Sequence, residues 1–170
     1  MHRWMERTLV AALAVAALAA PGLARAEGGV SVALTAGRMV PKPGGHEVMA
    51  SAEHAKPGDV IEYRATYRNQ GNSSVRSVDA TLPIPPGTEY LAHSASPAPG
   101  LASLDGRRFE PLPLLRRVRL ADGREVMREV PASEYRFLRW SLGTLASRDQ
   151  RLVRARVRVS SEPVAARSQH

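Results

Sequence analysis

Val153-Arg154-Ala155-Arg156-Val157-Arg158-Val159 decides how this chain is read. Apolar residues and arginines alternate without a break, and in extended backbone every second side chain points the same way. Such a segment is a β-strand with one buried face and one wet face. Ile61, Tyr63, Ala65 and Tyr67 alternate with Glu62, Arg64, Thr66 and Arg68 in the same manner. Val30, Val32 and Leu34 predict a short first strand, and Val78, Ala80 and Leu82 another that Pro83 closes. Tyr135, Phe137 and Arg139 share one parity while Arg136, Leu138 and Trp140 share the other, so the period leaves the inward side of that strand open.

Turn signals separate these runs. Asn69-Gln70-Gly71-Asn72 links two strands, and Pro85-Pro86-Gly87 marks a sharp bend. Asp105-Gly106 and Asp122-Gly123 each read as a two-residue hairpin turn, the second between strands at residues 114–120 and 124–130. Residues 36–45 and 94–100, rich in Pro, Gly and small residues, predict irregular loops. No long 3.6-residue period with caps follows the N-terminus, so the expected helix content there is nil. Many short strands with Gly, Pro and Asn turns point to an all-β antiparallel sandwich.

Ahead of it, residues 1–26 read as a helical signal peptide. Arg3 and Arg7 precede the apolar run at residues 9–20, Pro21-Gly22 breaks the helix, and Ala24-Arg25-Ala26 offers a small-x-small cleavage site ending at Ala26. The alternative is an uncleaved anchor. As a helix that run spans about 18 Å, against a hydrocarbon core of about 30 Å. The expected destination is the periplasm or the extracellular space, and the expected product does not span the membrane after cleavage. The chain has no cysteine, so neither a disulfide nor a lipidated N-terminal Cys is available to it. Residues 27–55 then form an N-terminal strand and loop, residues 56–160 the sandwich, and residues 161–170 a disordered tail.

Charge is uneven along the chain. Residues 27–106 carry six basic and eight acidic side chains, whereas residues 107–170 carry fifteen basic and seven acidic ones. A basic half outside the cytoplasm fits an anionic envelope component, and export removes nucleic acid from consideration. The same arginines also fit an ordinary solvated surface.

Lys56-Pro57-Gly58-Asp59-Val60-Ile61-Glu62-Tyr63, Thr81-Leu82-Pro83 with Pro86-Gly87-Thr88, and Trp140-Ser141-Leu142-Gly143-Thr144-Leu145 occur in order, with the Asn69 turn between the first two. This series resembles the DUF11 family of bacterial surface repeat domains over residues 56–160. The resemblance implies an immunoglobulin-like fold and an envelope or extracellular location, and no activity. Ala80 stands where that family carries an acidic residue, with Asp79 one position earlier, and residues 93–133 are longer than the minimal repeat.

Constellations for chemistry are sparse. His46-Glu47 and Glu53-His54 flank a short apolar segment, which makes His46 and His54 weak metal candidates. There is no Gly-x-Ser-x-Gly, and Glu125 and Glu129 are too far apart along one strand for the usual glycosidase pair. The expectation is a protein without catalytic activity and without a cofactor.

Arg154, Arg156 and Arg158 project from one strand face as a ladder, with Arg116 and Arg119 joining it if their strands are neighbours. Guanidinium groups bind carboxylate and phosphate in bidentate fashion. Arginine on an exposed strand also discourages edge-to-edge pairing. Two functions follow as expectations: a structural or protein-interaction module of the cell envelope, and a periplasmic binding module for anionic lipid or glycan through the arginine face.

Overall fold

The computed structural model describes residues 24–25 and 29–161. The signal-peptide reading, apart from the two-residue strand β1 (Ala24–Arg25), and the tail beyond Ser161 lie outside the described residues. The period-two segments fold as strands, except that Tyr135 and Arg136 lie ahead of the strand that begins at Phe137. In chain order they are β2 (Val30–Pro41), β3 (Glu47–Ala50), β4 (Val60–Asn69), β5 (Val75–Pro83), β6 (Thr88–Tyr90) and β7 (Leu101–Ser103). β8 (Glu110–Pro111), β9 (Leu115–Arg119), β10 (Glu125–Glu129), β11 (Phe137–Leu145) and β12 (Gln150–Val159) complete the set. No α-helix occurs among the described residues; a single 3-10 turn spans Ala132–Glu134.

Every pairing is antiparallel. One sheet runs β1-β2-β4-β12-β6, with β3 also on β2; the other runs β5-β11-β7-β8. β9 and β10 pair only with each other. The two larger sheets share one core. Ile61, Ala65 and Tyr67 of β4 and Val153, Ala155 and Val157 of β12 cluster with Ala80 and Leu82 of β5 and Leu138, Trp140 and Leu145 of β11. Alternate residues of each strand therefore point inward, as a two-layer all-β fold requires. Leu138 and Trp140 are the buried parity of β11. Phe137 and Arg139 face outward, where the Arg139 guanidinium lies 3.4 Å from the centre of the Phe109 ring.

Asn69 pins the end of this core. It is 0 % exposed. Its Oδ1 accepts from the Gly71 backbone N–H at 2.9 Å, as an Asn in a turn is suited to do. Its Nδ2 donates to the carbonyls of Ser73, Leu145 and Ala146 at 2.8, 3.1 and 2.9 Å. One side chain thus ties the β4–β5 turn to the β11–β12 turn. Among the described residues every buried side-chain nitrogen and oxygen has a hydrogen-bond partner.

Four expectations need correction. β2 does not stop near Leu34: it continues through Pro41, because β4 pairs with residues 35–38 and β3 with residues 38–41, which supplies the hydrogen bonds an irregular loop would lack. Asp105-Gly106 is not a two-residue hairpin turn. β7 and β8 pair at Leu101↔Pro111 and Ala102↔Glu110, and Asp105 Oδ1 instead accepts from the N–H groups of Arg107 and Arg108 inside a longer loop. Tyr63 is only partly buried. Glu62, assigned to a wet face by its parity, is 1 % exposed. The Asp122-Gly123 hairpin, by contrast, pairs Glu125 with Arg119 through Glu129 with Leu115, as its turn residues indicate.

Leu138 is 0 % exposed and Leu152 is 49 % exposed. Leu138→Ala is expected to cost about 2–5 kcal/mol of unfolding free energy by leaving a cavity. Leu152→Ala is expected to stay within about 0.5 kcal/mol. Urea unfolding followed by tryptophan fluorescence measures both.

Candidate functional site

The outward face of the first sheet is built from the alternate residues that the core does not take. Register aligns them in rows across β2, β4 and β12. Ser31, Arg68 and Gln150 form one row, Ala33, Thr66 and Leu152 the next, then Thr35, Arg64 and Arg154, then Gly37, Glu62 and Arg156. Val60 and Arg158 follow, with Arg158 opposite Glu89 of β6. Arg154, Arg156 and Arg158 therefore do share one face. The structure gives them different partners.

Arg156 belongs to an ion cluster. Its Nε donates to Glu62 Oε2 at 2.9 Å and its Nη1 to Glu47 Oε2 at 2.7 Å. Arg64 Nε donates to the other Glu62 oxygen at 2.7 Å. Both oxygens of the buried carboxylate are thus saturated by charged donors, which is the condition for an ionised group away from water. Glu47 lies on β3, and in a flat sheet β3 would stand three strand spacings, about 14 Å, from β12. A contact at 2.7 Å means that the β2–β3 hairpin curls over the outward face as far as β12. Gly37 permits this: a Cβ there would fall in the space of the Met49 side chain. The hairpin hides Glu62, which explains why parity alone misplaced it.

Burial by itself raises the Glu62 carboxyl, but the hydrogen bonds from Arg156 and Arg64, with their charges, outweigh it and hold the group below its ordinary value of 4.5. Its bond to Glu62 leads the causes that hold Arg156 above its usual value, against the opposing effect of burial and with help from Glu47.

The far half of the face lies beyond the cluster. Arg68 and Arg154 are exposed and have no ion-pair partner among the described residues. Arg154 stands directly across from Arg64, an arrangement of like charges that is unfavourable in isolation. Arg64 and Arg68 escaped the sequence reading because their place beside β12 depends on strand order. The alternation of β4 did place them on its polar side.

Arg116 and Arg119 do not extend the ladder, which corrects that expectation. Their strand pairs with β10 alone, outside the first sheet. Arg116 Nη2 reaches both oxygens of Glu134 at 2.8 Å and fastens the hairpin to the 3-10 turn. Leu114 and Val130 anchor its base in the core. On the other side of the hairpin, Leu115, Arg117 and Arg119 lie opposite Glu129, Met127 and Glu125. That face carries two arginines, two glutamates and two exposed apolar residues, Leu115 at 50 % and Met127 at 56 %. Beside the hairpin base a cleft of about 630 Å³ is walled mainly by alanine, proline and tyrosine, with His93 and Glu129 also in its lining.

His46 and His54 are both exposed, before and after β3. Among the described residues no group of three or more His, Asp and Glu is placed to hold a metal ion. No helix of the described residues is long and apolar enough to cross a membrane. No protein-family model, curated protein or solved structure matches this chain.

Arg156→Ala leaves the buried Glu62 with Arg64 alone and is expected to cost about 3 kcal/mol, whereas Arg154→Ala stays within about 0.5 kcal/mol. Because the Glu62 value is lower in the folded than in the unfolded chain, its contribution is full above pH 4.5 and is lost as pH falls through the folded value. Urea midpoints followed downward from neutral pH should therefore drop more steeply in the wild type than in Glu62→Gln.

Proposed function

We propose that this chain is an exported module of the cell envelope that works by binding a partner protein, without catalysis, and that its two sheets form an immunoglobulin-like sandwich. The leader pattern ending at Ala26 and the DUF11-like motifs support the location and the fold type. One observation carries the binding role: the β9–β10 hairpin stands outside both sheets and presents Leu115 and Met127 half exposed. A lone two-stranded hairpin is marginal in water. This one is held at its base and by Arg116, so its outer face is displayed rather than folded away. Two Arg and two Glu give that face no net charge, which suits a protein with its own mixed polar rim better than an anionic surface.

Mass analysis of the protein recovered from the envelope fraction is expected to show an N-terminus at Glu27. Cross-linking in the envelope is expected to give adducts that Leu115→Ser/Met127→Ser abolishes with an unchanged urea midpoint. Recovery from the cytosol with the leader intact would overturn the location. Adducts that survive the double substitution would overturn the docking face.

A second reading is favoured by the pairing of Arg64 with Arg154: an anionic lipid or glycan is bound at the arginine face. Arg64 already has Glu62, whereas Arg154 and the nearby Arg68 are exposed without an ion-pair partner among the described residues, so an anionic ligand would supply the missing counter-charge.

A further inference from the structure

We propose that the open half of the outward face, with Arg64, Arg68 and Arg154 around Leu152, docks on the surface of an anionic lipid bilayer. This rests on the second reading above and names its surface and its partner. The three open rows contain three arginines and no acidic residue. The nearest carboxylates are already committed, Glu62 and Glu47 to Arg156 and Arg64, and Asp149 to Arg151. Between the arginine rows lies an apolar one, Ala33 and Leu152 on either side of Thr66, with Leu152 at 49 % exposure.

Charge selects an anion, and shape selects the kind. These residues are successive outward positions of three neighbouring strands, so they form a sheet surface, and the cleft beside the β9–β10 hairpin is lined by other residues. An acidic glycan chain is best gripped in a groove. A broad face with an apolar centre and a cationic rim matches a headgroup layer, where arginines meet phosphates and an exposed leucine reaches the acyl boundary. Arg64 is engaged through its Nε, and its side chain remains 39 % exposed. Arg156, the centre of the ladder expected from sequence, contributes little here because its donors are used internally.

Each arginine near an anionic bilayer is worth about a fivefold gain in partitioning. Co-sedimentation with phosphatidylcholine vesicles, with and without phosphatidylglycerol, tests the proposal on the protein purified from its cellular fraction. Binding should require phosphatidylglycerol and weaken with added salt. Arg68→Ser/Arg154→Ser should lower it about thirtyfold. Arg76→Ser/Arg107→Ser, which removes the same charge elsewhere, should leave it unchanged. Arg154→Glu alone, which leaves the Glu62 pairs intact, should act in the same direction as the double variant.

Equal loss in the Arg76/Arg107 variant would overturn the assignment to this face. A soluble polyphosphate arm separates the inference from its premise. Polyphosphate binding that is lost with Arg68 and Arg154, without vesicle binding, would keep the anionic reading and overturn the lipid surface. Binding to neither would overturn both.

Discussion

A single ionised carboxylate governs the outer half of this molecule. Glu62 sits mid-strand on the side facing away from the core, and it is nonetheless shielded from water. A charge in that position is tolerable only when charged donors saturate it, and Arg64 and Arg156 supply them from the same strand and its neighbour. Arg156 also holds Glu47, which fixes the β2–β3 hairpin across the sheet, and Gly37 leaves the room that Met49 fills. The cluster thus divides the face into a covered half with balanced charge and an open half with arginine in excess.

Much of the architecture was legible because burying alternate residues leaves a direct trace in sequence. The alternation at Ile61–Tyr67 and Val153–Val159, the Asn69 turn and the Asp122-Gly123 hairpin all correspond to structure. The failures share a cause: they depend on contacts between segments distant in sequence. Residues 36–41 become strand only because β4 pairs with residues 36–38 and β3 with residues 38–41. Glu62 is buried by a hairpin that no local pattern places above it. Asp105-Gly106 carries hairpin residues, yet Asp105 spends its carboxylate on the N–H groups of its own loop. The inward side of β11 was undecidable because Phe137 and Leu138 are equally apolar; only packing against β5 and β12 separates them.

The arginines show the same division. The ladder on β12 was visible, but which of its guanidinium groups remain open depends on internal pairing. Arg156 is consumed, Arg116 is fastened to Glu134, and Arg64 and Arg68 enter through strand order. Two surfaces with different chemistry result: a charge-balanced hairpin face with exposed apolar residues, and a sheet face with uncompensated arginine. A protein that docks to a partner on one side and to an anionic surface on the other would use both, and neither use asks for a catalytic group.

Carboxyl-selective labelling of the native protein, read residue by residue by mass spectrometry, addresses the shielded carboxylate most directly. Glu62 should remain unmodified while Glu53, Glu125 and Glu129, all exposed, react readily. Labelling of Glu62 at the rate of Glu53 would contradict the covered half-face and the division of the arginines that depends on it.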